Sequence, residues 1–174
     1  MRHAFLTSLV VSSVLFSLTL TSSAKSAKVK VEISDSLGHS IGLVTIKPAA
    51  TGVSLQLNLR SLPPGVHAIH FHQNPVCDAP TFKGAGGHFN PDGKQHGLNN
   101  PQGHHAGDMQ NFTADANGKV KTTVSDPDVT LSDGTHSLFS NGGTAIVIHE
   151  KADDMMTDPS GNSGGRIACG VVKR

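Results

Sequence analysis

Apolar and polar residues alternate along most of the chain after the first two dozen positions, with the period of two that is typical of β-strands. The segment "KVKVEIS" places Val29, Val31 and Ile33 on one side and charged residues on the other. Similar apolar segments follow in "IGLVTIK", "GVSLQLNLR" and "GTAIVIHE". No long apolar stripe has the 3.6-residue period of a helix. Short strands separated by turn sequences predict an all-β fold, an antiparallel sandwich or barrel.

Turn sequences and two irregular stretches divide these strands. "DSLGHS" and "LPPG" are typical of turns, and Asn117-Gly118 predicts a tight hairpin. From Cys77 to about Asn111 the chain is rich in Gly, Pro, His and Asn and shows no strand pattern. A loop of this length in a compact domain is usually functional or disordered. A second, shorter irregular stretch lies between Asp154 and Arg166.

The N-terminus has the pattern of a secretory signal peptide. Arg2 precedes the apolar run "AFLTSLVVSSVLFSLTL", and "SSA" ends at Ala24 with the small residues of a cleavage site. A membrane anchor is the alternative, but the run is short and contains six Ser or Thr residues. We therefore predict a signal peptide over 1–24 and one mature domain over 25–174. The mature protein is expected to be exported, to a periplasm where the source has one.

Charge and cysteine content limit the possible partners and stabilising bonds. Without Arg2, 13 basic and 13 acidic side chains remain, which gives no bulk attraction to nucleic acid or to a membrane. Cys77 and Cys169 are the two cysteines, and an even pair in an exported protein favours a disulfide over two buried thiols.

Histidines are concentrated where the strand pattern meets the long loop. In "HAIHFHQ", His70 and His72 lie two residues apart on a predicted strand and so point to the same face. His67 has the opposite parity and is better read as a core histidine with its own hydrogen-bond partners. His149 ends a later strand, and the irregular region adds His88, His96, His104, His105 and Asp108. Imidazoles with one carboxylate suit zinc or copper, so the residues predict one or two metal sites on a β-scaffold.

Five motifs, "GVHAIHFH", "GGHFNP", "HHAGD", "VIHEKADD" and "GGRIACGV", occur in this order between Gly65 and Val171. Together they resemble the copper-zinc superoxide dismutases, and the signal peptide makes the chain similar to their bacterial periplasmic members. The resemblance implies a Greek-key β-sandwich or flattened barrel of about eight antiparallel strands with two long functional loops.

The resemblance also implies a role for each matching residue. Copper is expected at His70, His72, His88 and His149, and zinc at His88, His96, His105 and Asp108, with His88 bridging the two ions. Asp153 resembles the carboxylate that hydrogen-bonds the free ring nitrogens of His70 and His96. Cys77 and Cys169 match the family's disulfide, and Arg166 matches the arginine that guides substrate to copper.

The implied reaction converts superoxide to dioxygen and hydrogen peroxide, with copper alternately reduced and oxidised, zinc structural, and His88 passing a proton to the forming peroxide. The alternative is a dismutase-like protein that binds or delivers copper or zinc without turnover. The stretch between Asp154 and Arg166 lacks the lysine that family members commonly use to steer superoxide, and Lys83 or Lys151 would have to substitute. Monomer and homodimer both remain open.

Overall fold

The computed structural model describes Met1 and residues 28–174 of the chain. The predicted signal peptide, residues 1–24, therefore lies outside the described residues except for Met1. In the described part of the chain, none of the helices has the length and apolar character needed to cross a membrane.

Nine β-strands and two short 3-10 helices make up the regular structure of the described residues. The strands are β1 (Val29–Asp35), β2 (Ser40–Pro48), β3 (Val53–Leu59), β4 (Gly65–His67), β5 (Ile69–His72), β6 (Phe112–Ala114), β7 (Val120–Asp126), β8 (Thr144–His149) and β9 (Arg166–Val172). The 3-10 helices are Lys83–Ala85 and Ser140–Gly142.

The strands form a curled antiparallel sheet that closes on a second, smaller one. The large sheet has the order β5-β8-β9-β1-β2-β3-β7, and β4 pairs with β6. Since only Ala68 separates β4 from β5, one extended segment belongs to both sheets. The connections from β3 to β4 and from β7 to β8 join strands that are not neighbours in a sheet, as in a Greek key. The predicted all-β Greek-key fold is thus confirmed. The structure has nine strands where about eight were expected, because the Ala68 amide donates to Lys151 O and so divides one extended segment into β4 and β5.

The alternation read from the sequence sets which side chains fill the core. Leu55, Leu57 and Leu59 of β3 are buried and face the interior, while Gln56 and Asn58 between them are exposed. On β1, Val31 and Ile33 are likewise buried, and this strand pairs with β2. Each such side chain contributes about 1.5–3 kcal/mol by leaving water, so a one-residue slip of a strand is strongly disfavoured.

The predicted hairpin at Asn117-Gly118 is a turn, but its flanking strands do not pair with each other. The Asp115 carboxylate accepts hydrogen bonds from the amides of Asn117 and Lys119, which closes the turn. β6 pairs with β4, whereas β7 pairs with β3. The turn therefore carries the chain between the two sheets, and the local sequence could not indicate this because it specifies the bend and not the partner of each strand.

Cys77 and Cys169 form a disulfide that links the long loop to β9. The two cysteines are 92 positions apart in the sequence. In the chain-entropy model, closing a loop of that size stabilises the fold by about 4.5 kcal/mol. The bond fixes the start of the long loop five positions after the end of β5, the strand that carries the first predicted metal ligands.

Candidate metal centre

The predicted ligand residues meet on the outer side of β5 and β8. His70 and His72 project from β5, and His149 ends β8, which pairs with β5. The long loop runs along the free edge of β5, where isolated bridges pair His70 with Asp108 and His72 with His88. Main-chain hydrogen bonds from Phe71 N to Gly107 O and from Phe89 N to Phe71 O hold the loop there. The edge of β5 thus holds the long loop, and with it the ligand residues of a segment that has no regular strand of its own.

One group of four donors consists of the imidazoles of His70, His72, His88 and His149, all buried, with one ring nitrogen of each within 4.8 Å of the others. Nε2 of His72 lies 3.4 Å from Nε2 of His149. The other nitrogen of each of these two rings donates to main-chain carbonyls, from His72 Nδ1 to Gly86 O and from His149 Nδ1 to Gly164 O. These contacts fix the tautomers so that both Nε2 atoms are free to bind a metal.

A second group of four donors lies directly beside the first and consists of His88, His96, His105 and Asp108. The carboxylate of Asp108 is 2.8 Å from His88 Nδ1 and 3.0 Å from His96 Nδ1. Nδ1 of His105 lies 3.3 Å from Nδ1 of His88. Gly97 N and His105 N donate to Asp108 Oδ2 and hold the carboxylate in place.

His88 belongs to both groups because its two ring nitrogens face different sides. Nδ1 faces Asp108 and His105, whereas Nε2 faces the first group and is buried without a hydrogen-bond partner among the described residues. The ring stacks on His70 at 4.0 Å and meets His105 edge-on at 5.2 Å. A single imidazole so placed can join two metal ions.

The two donor groups fit copper and zinc in the kind of donor atom, in the distances between those atoms, and in the buried nitrogens that lack a hydrogen-bond partner. A zinc–nitrogen bond is about 2.0–2.1 Å long, so nitrogens at two corners of a tetrahedron lie about 3.3–3.4 Å apart, the separation of the facing imidazoles here. Three of the buried side-chain atoms without a hydrogen-bond partner in the described chain are imidazole nitrogens of these sets: His70 Nδ1, His88 Nε2 and His96 Nδ1. Buried polar atoms rarely stay unpaired, and metal ions held by these two groups would give all three nitrogens a partner.

Burial keeps most of these imidazoles neutral, which is the form that binds metal. Desolvation lowers the pKa of His70 to about 4, that of His88 to about 3 and that of His149 to about 4. It also holds the pKa of His72 well below its usual value. At neutral pH these four rings therefore offer lone pairs without first releasing a proton to water.

Asp153 links the two groups through the nitrogens that do not face a metal. Its carboxylate accepts hydrogen bonds from His70 Nε2 at 2.8 Å and from His96 Nε2 at 3.0 Å. Burial opposes its charge, but these two bonds and one from Met155 N outweigh burial and hold the Asp153 pKa below its usual range. Burial likewise disfavours the His96 cation, yet the carboxylates of Asp108 and Asp153, each 3.0 Å from one of its ring nitrogens, raise the His96 pKa to about 9.

Two residues that the sequence did not single out hold Asp153 in position. Asn111 donates from its side-chain nitrogen to Asp153 O and accepts from Asp153 N, both at 2.9 Å. Gly161 lies against the carboxylate with φ +62°, and a Cβ there would overlap Asp153 Oδ1. Neither position carries a metal-ligand residue type, so nothing in the sequence pattern could have marked it.

Arg166 stands at the start of β9 beside the first group. Its guanidinium donates to Phe82 O at 2.7 Å and to Gly86 O at 2.6 Å. Gly86 O also accepts from His72 Nδ1 at 3.0 Å, so one carbonyl joins the arginine to a predicted copper ligand. With two donors bound to the loop that the disulfide anchors, the remaining donors of this permanent cation keep a fixed direction.

A cavity of about 450 Å³ opens next to Arg166 and is lined by Pro80, Thr81, Lys83, Gly164, Gly165 and Arg166. Gly164 O is the carbonyl that His149 Nδ1 contacts, so this cavity borders the first group. Lys83 and Arg166 give it two cationic side chains. Lys83 is therefore the one of the two lysines considered from the sequence that lines this cavity, whereas Lys151 is not part of the lining but lies beside Gly164.

The other histidines lie apart from both donor groups. The ring nitrogens of buried His67 are 2.8 Å from His149 O and 2.7 Å from Pro63 O, as expected of a core histidine. His104 contacts Asp128 and lies outside both groups, while its neighbour His105 is in one. His39 is exposed. His136 is half-exposed and contacts Asp128 O and Asp92.

The chain is similar in sequence and in fold to known proteins. The family model of copper/zinc superoxide dismutase (SODC) matches residues 40–172. Superoxide dismutase (Cu-Zn) 2 of Aquifex aeolicus is 47% identical over 158 residues, which cover 90% of this chain and 92% of that protein.

Solved structures of related proteins have the same fold as this chain. The Cu/Zn superoxide dismutase from Brucella abortus matches with a TM-score of 0.72 at 30% identity, covering 84% of this chain and all of that one. A SOD-like protein from Bacillus subtilis matches with a TM-score of 0.79 at 41% identity, covering 82% of this chain and 96% of that one. Since the family model spans most of the chain and the relatives match over nearly all of their own length, the chain belongs to the copper/zinc superoxide dismutase family.

Proposed function

We propose that this protein is an enzyme that dismutates superoxide, with copper held by His70, His72, His88 and His149 and zinc by His88, His96, His105 and Asp108. The observation that carries the proposal is the position of His88, one ring whose Nδ1 belongs to one four-donor group and whose Nε2 belongs to the other. A protein that only bound zinc would not need a second group of four buried nitrogens beside the zinc ligands.

When bound, copper supplies the alternating one-electron oxidation and reduction by which two superoxide ions and two protons become dioxygen and hydrogen peroxide, while zinc, which has no redox chemistry, holds the loop. His88 Nε2 is the atom where the chain can hold a proton next to the reacting oxygen, because Nδ1 is committed to the zinc side. Arg166 is held in place by its bonds to Phe82 O and Gly86 O, and its remaining N–H donors can bind and orient the small anion.

Export is part of the proposal. Disulfides persist in oxidising compartments and are rare in the cytosol. The Cys77–Cys169 bond anchors the loop whose carbonyl groups accept hydrogen bonds from Arg166. The signal-peptide pattern before Lys25 would direct the chain to the secretion machinery. We infer a mature periplasmic protein that starts near Lys25.

One purified sample tests both points. Isolated after expression with its own N-terminus and with both metals supplied, the protein should contain about one copper and one zinc per chain. It should destroy superoxide, and its mass should correspond to residues 25–174. A sample that binds both metals without turnover would contradict the enzyme and favour the metal-binding alternative, and an uncleaved mass would contradict export.

Lys83 is expected to raise the rate at which superoxide reaches the cavity. Lys83→Gln should lower the second-order rate several-fold at low ionic strength, and the deficit should shrink as salt screens the charge. Arg166→Gln should cost more and keep most of its deficit at high salt, since it also removes donors that orient the anion. Lys94→Gln, on the same long loop but outside the cavity lining, serves as the control. A Lys83→Gln deficit that is independent of salt would contradict steering.

A further inference from the structure

A separate cationic surface lies on strands that carry none of the predicted metal ligands. We call it the lysine face and define it by the outward side chains of Lys30, Lys47, Lys121 and Arg60, with Glu32 as the acidic member. The chain has 14 Lys and Arg residues against 13 acidic ones. A face with four cations and one acid therefore leaves the rest of the described chain with an excess of acidic groups.

The cations of the lysine face have no charged partner. Among the described residues none of the four forms an ion pair, and the Lys47 ammonium donates to the neutral Gln56 side chain at 2.9 Å. Lys30 and Lys121 are exposed. Surface cations concentrated in this way create a local positive potential even on a protein of nearly neutral charge.

A shallow groove crosses the face between these charges. One depression of about 440 Å³ is lined by Lys30, Leu43, Thr45, Gln56, Leu57, Asn58, Lys121, Thr122 and Thr123. A second of about 210 Å³ shares Leu43 and Asn58 with it and continues to Arg60. From Lys30 on β1 to Lys121 on β7 there are three steps between strands, about 14 Å along the sheet.

The chemistry of the groove fits a hydroxylated polyanion. Its lining offers amide groups from Gln56 and Asn58 and hydroxyl groups from Thr45 and Thr123, which suit sugar hydroxyls, together with the cations of Lys30 and Lys121, which suit carboxylates or sulfates. We propose that the lysine face binds an anionic polysaccharide whose chain lies across β1, β2, β3 and β7.

Other occupants match the face less well. Stacking of nucleic-acid bases needs aromatic side chains, and none lines either depression. Insertion into a bilayer needs exposed apolar side chains, and of the residues lining the two depressions only Leu43, 43% exposed, is an exposed large hydrophobic residue. A second copy of the chain placed face to face would oppose like charges.

Binding of the metal-loaded protein to dextran sulfate, polygalacturonate and neutral dextran tests the proposal. We expect both charged polymers to bind, with affinity that falls as salt rises, and neutral dextran not to bind. Lys30→Glu with Lys121→Glu should weaken binding at least tenfold while dismutase activity stays unchanged, since neither residue lies near the donor groups. Lys94→Glu with Lys173→Glu changes net charge equally and should stay within about twofold of the wild type.

Three results would overturn the proposal: equal weakening by both double variants, unchanged binding in the lysine-face variant, or tighter binding to phosphatidylglycerol vesicles or duplex DNA than to either polysaccharide. Because dismutation is measured in the same samples, loss of polysaccharide binding and loss of the enzyme are distinguishable.

Discussion

Replacing His149 with Ala is expected to lower superoxide turnover about 100-fold or more and to release most of the copper. The variant loses one of four imidazoles in the first donor group, and the three that remain cannot complete a four-nitrogen site. Zinc should stay close to its normal content, since His149 does not belong to the second group. Metal analysis and a superoxide assay on the same preparation measure both effects.

A matched control separates the loss of a ligand from the loss of a histidine. His39 lies in the turn between β1 and β2 with its side chain 72% exposed, so His39→Ala should keep both metals and full activity. Retained zinc and an intact β-sheet spectrum would show that the His149 variant folds. Normal turnover in His149→Ala would refute the assignment of this residue to copper.

Much of the fold follows from residue alternation, and the site depends on long-range pairing that alternation cannot reveal. Val53, Leu55, Leu57 and Leu59 lie where period two predicts because one face of β3 must leave water. The Asn117-Gly118 turn was correctly located, but the partners of β6 and β7 depend on closure of the sheet. The long loop is ordered by the edge of β5, a property of the sheet and not of the loop's own sequence.

The same limit applies within the site. Histidine spacing on β5 predicts a shared face for His70 and His72 from local geometry alone. The sequence could not show that Gly86 O joins His72 to Arg166, because a main-chain carbonyl has no signature in the residue type. Asn111 and Ser163, which contact Asp153 and His149, are ordinary loop residues until the chain is folded. The sequence offered both Lys83 and Lys151 as steering residues, and it could not show that Lys83 lines a cavity with Arg166.

Asp153→Asn is expected to weaken both metals together, by about 10–100-fold in affinity each, the usual cost of losing a partner that orients ligand histidines. The carboxylate accepts from Nε2 of one histidine in each donor group. An amide has one oxygen to accept with, and its NH2 group would face the N–H of the other ring, donor against donor. That ring must turn or change tautomer, which moves the proton to the nitrogen that would bind metal.

Asp154→Asn is the matched control, since Asp154 is exposed and its carboxylate accepts from Met156 N, Thr157 N and the Asn162 side chain within its own loop. It should keep both metals and normal turnover. Competition with a chelator, followed for copper and zinc separately, measures the two affinities in each variant. Asp153 acts through the histidines and not on the substrate, so adding excess copper and zinc should restore much of the activity of Asp153→Asn, as it should not for His149→Ala. Loss of one metal alone, or equal affinities in both aspartate variants, would contradict the role of Asp153 as the link between the two groups.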